Sequence, residues 1–226
     1  MAIAHRGDPV AQRENTMAAF EAAVLGGADM VELDLRRTRD GEIVILHDAT
    51  LSRLWGIDRA VADMDLAEVR AVRQLGFGIP TLREVLESFS VPLMVDFTGA
   101  EVVGRAVQVV RELRALDRSL FVTGNVAALR ELRAHSQEAR IGITWTKAEL
   151  PTRELLDELD PDFWNPTFHL VTSEKVDQIH ALGRKVSTWT VDDPSDMARV
   201  VEAQVDAIVT NRIRELVGFL AEHGCG

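Results

Sequence analysis

Short apolar runs rich in β-branched residues alternate with amphipathic segments along most of the chain. The apolar runs predict strands, and the segments between them, with apolar residues at helical spacing, predict helices. We predict strands near 2–5, 30–36, 92–97, 119–123, 140–145, 162–165, 185–190 and 206–210. We predict helices near 15–26, 65–74, 81–89, 100–115, 125–135, 152–159, 173–182, 194–203 and 212–222.

Eight strands that alternate with helices predict an α/β protein with a (β/α)8 TIM barrel, formed by a single domain over residues 1–226. A doubly wound open sheet is the main alternative, but no strand is followed by a glycine-rich dinucleotide loop. Between the second and third barrel strands the chain is too long for one crossover helix. We assign 43–47 to a hairpin strand and approximately 50–79 to a small insertion over the barrel mouth.

Two carboxylates lie at alternate positions of the second predicted strand and therefore on one face of it. They are Glu32 and Asp34. The pair Asp40-Gly41 favours a two-residue hairpin turn, which would place Asp34 opposite His47, with the side chains about 5 Å apart. Acids crowded in this way are costly unless a cation neutralises them, so the pattern predicts a metal site beside an acid/base group.

Other polar residues fall at the carboxyl ends of predicted strands, where barrels of this kind carry their active sites. They include His5, Asp96 and Trp189. A tryptophan at such a position can equally serve packing, and an aspartate can cap a helix. Glu14 and Asn15 have a similar alternative interpretation as the entry to the first helix.

Composition excludes several classes of partner. The net charge of −11 argues against binding to nucleic acid and against stable association with an anionic membrane. The single cysteine, Cys225, allows no internal disulfide and is expected to be an inert tail residue. Without a predicted signal peptide or membrane span, we expect a cytoplasmic protein, and a homodimer is possible.

Taken together, the polar motifs resemble those of the glycerophosphodiester phosphodiesterase family, and the resemblance covers essentially the whole chain. No single motif is specific for this family, but all of them in this order on a (β/α)8 pattern are. The matching segments are His5-Arg6-Gly7, Glu14-Asn15-Thr16, Glu32-Leu33-Asp34, Thr38 through Asp40-Gly41, His47-Asp48, Pro80 through Leu86, Thr188 through Val191, and Val205 through Thr210.

The resemblance implies metal-dependent hydrolysis of a glycerophosphodiester to glycerol 3-phosphate and an alcohol. One divalent cation, Mg²⁺ or Ca²⁺, would bind Glu32, Asp34 and Asp96. His5 and His47 would act as general base and general acid, in an order that remains open, although we favour His5 as the base. Arg6 would bind the phosphate and is assigned to catalysis as well. Glu14 and Asn15 would support these residues.

The third strand departs from the family pattern, which usually reads Glu-x-Lys where this chain has Asp96 and Thr98. Lys147 could replace the missing positive charge, and Trp189 is a further substrate-binding candidate. Two alternatives remain open. The site could cleave a lysophospholipid or another phosphodiester, with Trp55 or Phe77 holding an acyl chain, or the barrel could bind a phosphate ester without catalysis.

Overall fold

The computed structural model describes residues 1–224, so the expectation for Cys225 lies outside the described residues. Strands alternate with helices as the apolar periodicity predicts. The strands are β1 (Ala2–Ala4), β2 (Met30–Arg37), β3 (Ile43–Ile45), β4 (Arg73–Gln74), β5 (Phe77–Gly78), β6 (Leu93–Asp96), β7 (Ser119–Thr123), β8 (Arg140–Trp145), β9 (Phe163–Pro166), β10 (Lys185–Thr188) and β11 (Ala207–Thr210).

The main sheet closes on itself. Eight parallel strands follow one another in the order β1, β2, β6, β7, β8, β9, β10 and β11, and β11 pairs with β1. The antiparallel strand β3 extends from β2 outside the closed ring. This arrangement confirms the predicted (β/α)8 barrel.

Ten helices within residues 1–224 agree with the predicted positions to a few residues, apart from one short helix that the prediction did not include. They are α1 (Met17–Leu25), α2 (Ser52–Trp55), α3 (Leu66–Ala71), α4 (Leu82–Ser88), α5 (Val103–Glu112), α6 (Val126–His135), α7 (Arg153–Leu159), α8 (Ser173–Ala181), α9 (Pro194–Glu202) and α10 (Ile213–Glu222). The helix predicted for 65–74 is too long, since β4 begins at Arg73. None of these helices combines the length and the apolar composition that crossing a bilayer requires.

The hairpin between β2 and β3 differs from the prediction by one residue. Its turn has three residues rather than two, because Gly41 adopts φ +90° and its N–H donates to the Thr38 carbonyl. A type I turn followed by a left-handed residue is the usual three-residue hairpin loop. As a result Leu35 pairs with Ile45, and Asp34 lies opposite Leu46 instead of His47.

Alternation along the barrel strands separates two apolar layers. Outward-facing residues such as Leu33, Val95 and Ile143 pack under the helices in the main core. A second, smaller cluster includes Ile3, Met94 and other residues on the opposite face of these strands, which fill the barrel interior. Polar side chains continue the inward-facing rows toward the carboxyl ends of the strands, above this apolar plug.

The segment between β3 and α4 has its own apolar cluster. Trp55, Val61, Met64 and Val69 are buried there, and Leu46 joins them from the chain that follows β3. Arg13, from the loop after β1, lies over the Trp55 ring at 4.8 Å. The segment therefore packs on the same side of the barrel as the β1–α1 loop.

Candidate active site

A cavity of about 180 Å³ opens at the carboxyl ends of the barrel strands. Apolar side chains from the barrel interior contribute to its lining, and charged residues from β2, β6 and the chain after β1 and β3 converge on it. The residues that line it are His5, Arg6, Glu32, Asp34, His47, Met94, Asp96, Val122, Thr144, Asn165, Trp189 and Val209.

Three carboxylates form an acidic cluster on one side of this cavity. Asp34 and Asp96 are neighbours in register on β2 and β6, and Glu32 lies one inward-facing position below Asp34. One oxygen from each of the three lies within 4.8 Å of the others. Three hard oxygen donors at this spacing fit a divalent cation such as Mg²⁺ or Ca²⁺.

Burial and mutual repulsion make the ionised forms of these acids unfavourable. Burial raises the pKa of Glu32 well above its usual value, and the charges of Asp34 and Asp96 raise it further. Burial, followed by the charge of Asp34, raises the pKa of Asp96 to about 7. Groups in such surroundings favour either a proton or a bound cation, which agrees with the donor chemistry of the cluster.

A chain of hydrogen bonds orients His5. Asp192 accepts from both the backbone N–H of Asn211, at 2.8 Å, and its side-chain amide, at 2.7 Å. The remaining amide oxygen of Asn211 therefore faces His5 Nδ1, at 2.8 Å. Because this oxygen can only accept, the proton of a neutral His5 belongs on Nδ1, and Nε2 carries the lone pair.

The unprotonated nitrogen of His5 lies near the acidic cluster, with Nε2 3.9 Å from a Glu32 oxygen. Burial, and after it the charge of Arg6, lowers the pKa of His5. The imidazole is thus held neutral near physiological pH and in the tautomer that can accept a proton.

Arg6 occupies a sharp turn directly after β1, at φ +58°, followed by Gly7 at φ +86°. Its backbone N–H donates to Glu32 at 2.8 Å, and Nη1 donates to Glu14 at 3.0 Å. Nε is 3.3 Å from an Asp34 oxygen but, within the described chain, this buried nitrogen has no hydrogen-bond partner. The guanidinium is thus held between Glu14 and Asp34, and it brings a positive charge to the wall of the cavity, which suits an anionic ligand.

His47 reaches the cavity from outside the regular hairpin, since β3 ends at Ile45. Its Nδ1 pairs with Asp48 Oδ1 at 2.7 Å. Its backbone carbonyl accepts from both Nε and Nη2 of Arg36. The ring lines the cavity, although the predicted hairpin register, with His47 directly opposite Asp34, is wrong.

The two supporting residues have separate tasks. Thr16, rather than Asn15, caps α1 by accepting from the N–H of Ala19. Asn15 is buried and donates to Asp34 at 2.7 Å, so it orients a carboxylate of the acidic cluster. Burial opposes ionisation of Glu14, but hydrogen bonds and charges from Arg53 and Arg6 lower its pKa overall.

The two further substrate-binding candidates lie in different surroundings. Trp189 lines the cavity and donates from its indole nitrogen to the Asn165 carbonyl at 3.1 Å. Lys147 is exposed and does not line the cavity, and its ammonium lies 5.2 Å from the centre of the Trp145 ring. The positive charge that lies near the end of β6 belongs to Arg36 rather than to Lys147, since Nη1 of Arg36 donates to Thr98 at 2.9 Å.

Sequence reasoning assigned no role to Asp48, Arg53, Asp192 or Asn211, which the structure connects to the two histidines. Asp48 directly follows His47, and an acid next to a candidate histidine is a usable signal. Asp192 and Asn211 are 19 residues apart and meet only because β10 and β11 are neighbours.

Comparisons with known proteins agree with this site and fold. The sequence matches the glycerophosphoryl diester phosphodiesterase family over residues 5–215. It is 29% identical to the glycerophosphodiester phosphodiesterase of Caldanaerobacter subterraneus subsp. tengcongensis, with 99% of both chains covered. It is 32% identical to a Mycobacterium tuberculosis protein named "probable glycerophosphodiester phosphodiesterase 2", over 99% of this chain and 92% of that one.

A solved structure is similar over the whole barrel. It is an Oleispira antarctica phosphodiesterase in complex with the product sn-glycerol-3-phosphate, with a TM-score of 0.92 and 26% identity. The alignment covers 98% of this chain and 96% of that one. The match of sequence and fold over nearly all residues confirms the resemblance found in the motifs. The chain therefore belongs to the glycerophosphoryl diester phosphodiesterase family of enzymes.

Proposed function

We propose that this protein hydrolyses glycerophosphodiesters to glycerol 3-phosphate and an alcohol, with a divalent cation bound by Glu32, Asp34 and Asp96. One observation carries the proposal: a single cavity is lined by three clustered carboxylates, two imidazoles and the Arg6 guanidinium. The product bound to the Oleispira antarctica relative supports the choice of substrate class.

The cation, when bound, would act as a Lewis acid that stabilises charge developing on the phosphate oxygens. Arg6 contributes the second positive charge, since its side chain lines the same cavity and can attract a non-bridging phosphate oxygen. Asn15 and the backbone of Arg6 hold Asp34 and Glu32 in place by hydrogen bonds. These contacts fix the donor atoms before a ligand arrives, which reduces the reorganisation that binding requires.

The histidines divide the proton transfers according to their hydrogen bonds. His5 presents a lone pair on Nε2, because Asn211 accepts from Nδ1. It removes the proton from the glycerol hydroxyl adjacent to the phosphate, which attacks phosphorus as the P–O bond to the alcohol breaks. Water then opens the resulting cyclic phosphate to glycerol 3-phosphate. His47 is oriented through its Nδ1 by Asp48, and as the general acid it donates a proton from Nε2 to the leaving alkoxide. This division supports His5 as base and His47 as acid.

The test is the release of choline from glycerophosphocholine. We expect turnover in Mg²⁺ or Ca²⁺ and its loss in EDTA. His47→Ala should lower kcat by about 100- to 10,000-fold, the usual contribution of a positioned acid. His169→Ala is the control, because this histidine is exposed and packs on Phe168 outside the cavity. Undiminished turnover in the His47 variant would rule out its assigned role.

A lysophospholipid is the second candidate substrate. A lysophospholipase D of Rattus norvegicus is 39% identical over 109 residues, which is 42% of this chain and 35% of that protein. A separate groove of about 610 Å³, lined partly by Met17, Phe77 and Phe89, offers apolar surface but shares no lining residue with the active-site cavity. Against this candidate, Trp55 is buried in its own apolar cluster. A higher kcat/KM for lysophosphatidylcholine than for glycerophosphocholine would favour it.

A further inference from the structure

We propose that Arg53, on the short helix α2, is a positioning residue that couples the phosphate-binding Arg6 to the acid His47. The inference rests on the proposed function, since it concerns how the site is held for that reaction. Its basis is one guanidinium that contacts the partners of both residues at once.

On one side, Arg53 binds the carboxylate that holds Arg6. Its Nη1 and Nη2 donate to the two oxygens of Glu14 at 3.1 and 2.7 Å. Glu14 Oε1 also accepts from Arg6 Nη1, at 3.0 Å. The same carboxylate thus joins two guanidinium groups, and the bidentate contact with Arg53 fixes its orientation.

On the other side, Arg53 binds the carboxylate that holds His47. Its Nε donates to Asp48 Oδ2 at 2.6 Å, while Asp48 Oδ1 pairs with His47 Nδ1 at 2.7 Å. An ionised carboxylate can only accept, so His47 Nδ1 carries a proton. The other ring nitrogen, Nε2, is then the atom that can serve the substrate.

His47 needs such support more than His5 does. Its side chain is 44% exposed, compared with 18% for His5, and it follows the end of β3. Arg36 fixes the backbone carbonyl of His47 but does not contact the ring. The orientation of the imidazole therefore depends on Asp48, and the position of Asp48 depends on Arg53.

The geometry requires a guanidinium. Three N–H groups of Arg53 point in different in-plane directions, toward two carboxylates on separate loops. A lysine has a single nitrogen on a flexible stem and cannot reproduce this fork. Since the Arg53 side chain is 47% exposed, the ion pairs themselves contribute little to folding stability. A large effect on catalysis with a small effect on unfolding is thus the expected signature.

Arg59 provides a matched control in the same segment. Its side chain is 40% exposed, and it donates to Glu68 at 2.8 Å and to the Asp63 carbonyl at 2.8 Å. Both partners lie within that segment and outside the cavity. Arg53→Gln and Arg59→Gln therefore remove the same group at similar exposure, but only Arg53→Gln removes the hydrogen bonds to Glu14 and Asp48.

We expect Arg53→Gln to lower kcat by about 10- to 100-fold, as for a misplaced catalytic group, and to change KM less. Arg53→Lys should show most of this loss, whereas Arg59→Gln should retain the kcat of the wild type. Thermal unfolding of all three variants checks that they are folded. An equal kcat for Arg53→Gln and Arg59→Gln would overturn the inference.

Two further measurements separate positioning from a general structural role. In a His47→Ala background, Arg53→Gln should lower kcat much less than in the wild type, because the group it orients is gone. Full additivity of the two losses would contradict coupling through His47. The second measurement is the ¹⁵N spectrum of the histidine rings, in which we expect the hydrogen-bonded Nδ1–H signal of His47 to be lost in Arg53→Gln and kept in Arg59→Gln.

The ring spectrum also distinguishes the two proposals. If the wild type does not hydrolyse the diester, the proposed function fails, while loss of the His47 signal in Arg53→Gln alone still supports the positioning role. If the wild type is active and the His47 signal is the same in both variants, the positioning role fails and the proposed function stands.

Discussion

Replacing Asp96 by asparagine tests the electrostatics of the acidic cluster directly. In the metal-free protein Asp96 is surrounded by buried acids, and its ionised form is disfavoured. Asparagine has nearly the same shape and no charge. We therefore expect Asp96→Asn to stabilise the metal-free protein at neutral pH, although it removes a ligand of the proposed cation.

The sign and size of the expected stability change follow from the pKa of Asp96. Burial and Asp34 raise the pKa of Asp96 from 3.8 to about 7 in the folded protein. Folding therefore favours the protonated form, so stability is lost as pH rises from about 4 through 7 and stays constant above. At 1.36 kcal/mol for each pKa unit the cost is about 4 kcal/mol. Because Asp96 is only partly buried, solvent screening reduces our expectation to about 2 kcal/mol.

The assay is urea unfolding in EDTA at several pH values between 4 and 8. The free energy of unfolding of Asp96→Asn should exceed that of the wild type by an amount that grows with pH to about 2 kcal/mol. Asp177→Asn, at an exposed helix position, controls for the change in net charge. With Mg²⁺ at about 100 times its dissociation constant, the wild type should gain about 2.7 kcal/mol, and the Asp96 variant much less.

Equal stability of the wild type and Asp96→Asn at pH 8 in EDTA would refute this reasoning, because it would mean that the three acids do not destabilise one another. A pH-independent difference would refute it as well, since the effect would then come from packing rather than from ionisation. Loss of the Mg²⁺-dependent gain in Asp177→Asn would show that net charge, and not the cluster, governs binding.

Two further predictions concern the β1–α1 loop and the support of His5. Asn211→Leu removes the acceptor of His5 Nδ1, and we expect kcat to fall about 10- to 100-fold with little change in thermal unfolding; an unchanged kcat would contradict the assigned tautomer. Gly7→Ala should destabilise the protein by more than about 2 kcal/mol in urea unfolding, because a Cβ at φ +86° would lie 2.6 Å from the backbone of Ala19. A loss below about 0.5 kcal/mol would show that the loop relaxes easily.

The barrel was predictable from the sequence because its signal is local. Each strand is a short apolar run, and each helix carries its own periodicity, so errors at one element do not displace the next. Inward-facing polar residues at strand ends, such as Glu32 and Asp34, were predictable for the same reason. Their shared cavity then follows from closure of the sheet.

The hairpin register and the hydrogen-bond networks were not predictable in the same way. A left-handed Gly41 adds one residue to the turn, and the pair Asp40-Gly41 is compatible with either loop length. The partners of Arg53 are 39 residues away at Glu14 and five residues away at Asp48. Such contacts depend on how separate loops pack, which no periodicity encodes.

The end of β6, the third strand of the barrel, shows how the structure accommodates a departure from the family pattern. Asp96 is one methylene shorter than the usual glutamate, yet it is in register with Asp34 and belongs to the acidic cluster. Thr98 replaces the usual lysine, but its hydroxyl accepts from Arg36, whose charge also acts to lower the pKa of Asp96. The positive charge beside the cluster therefore comes from β2 instead of β6. Because the same guanidinium donates to the carbonyl of His47, Arg36 connects Thr98, beside the acidic cluster, to the backbone of His47.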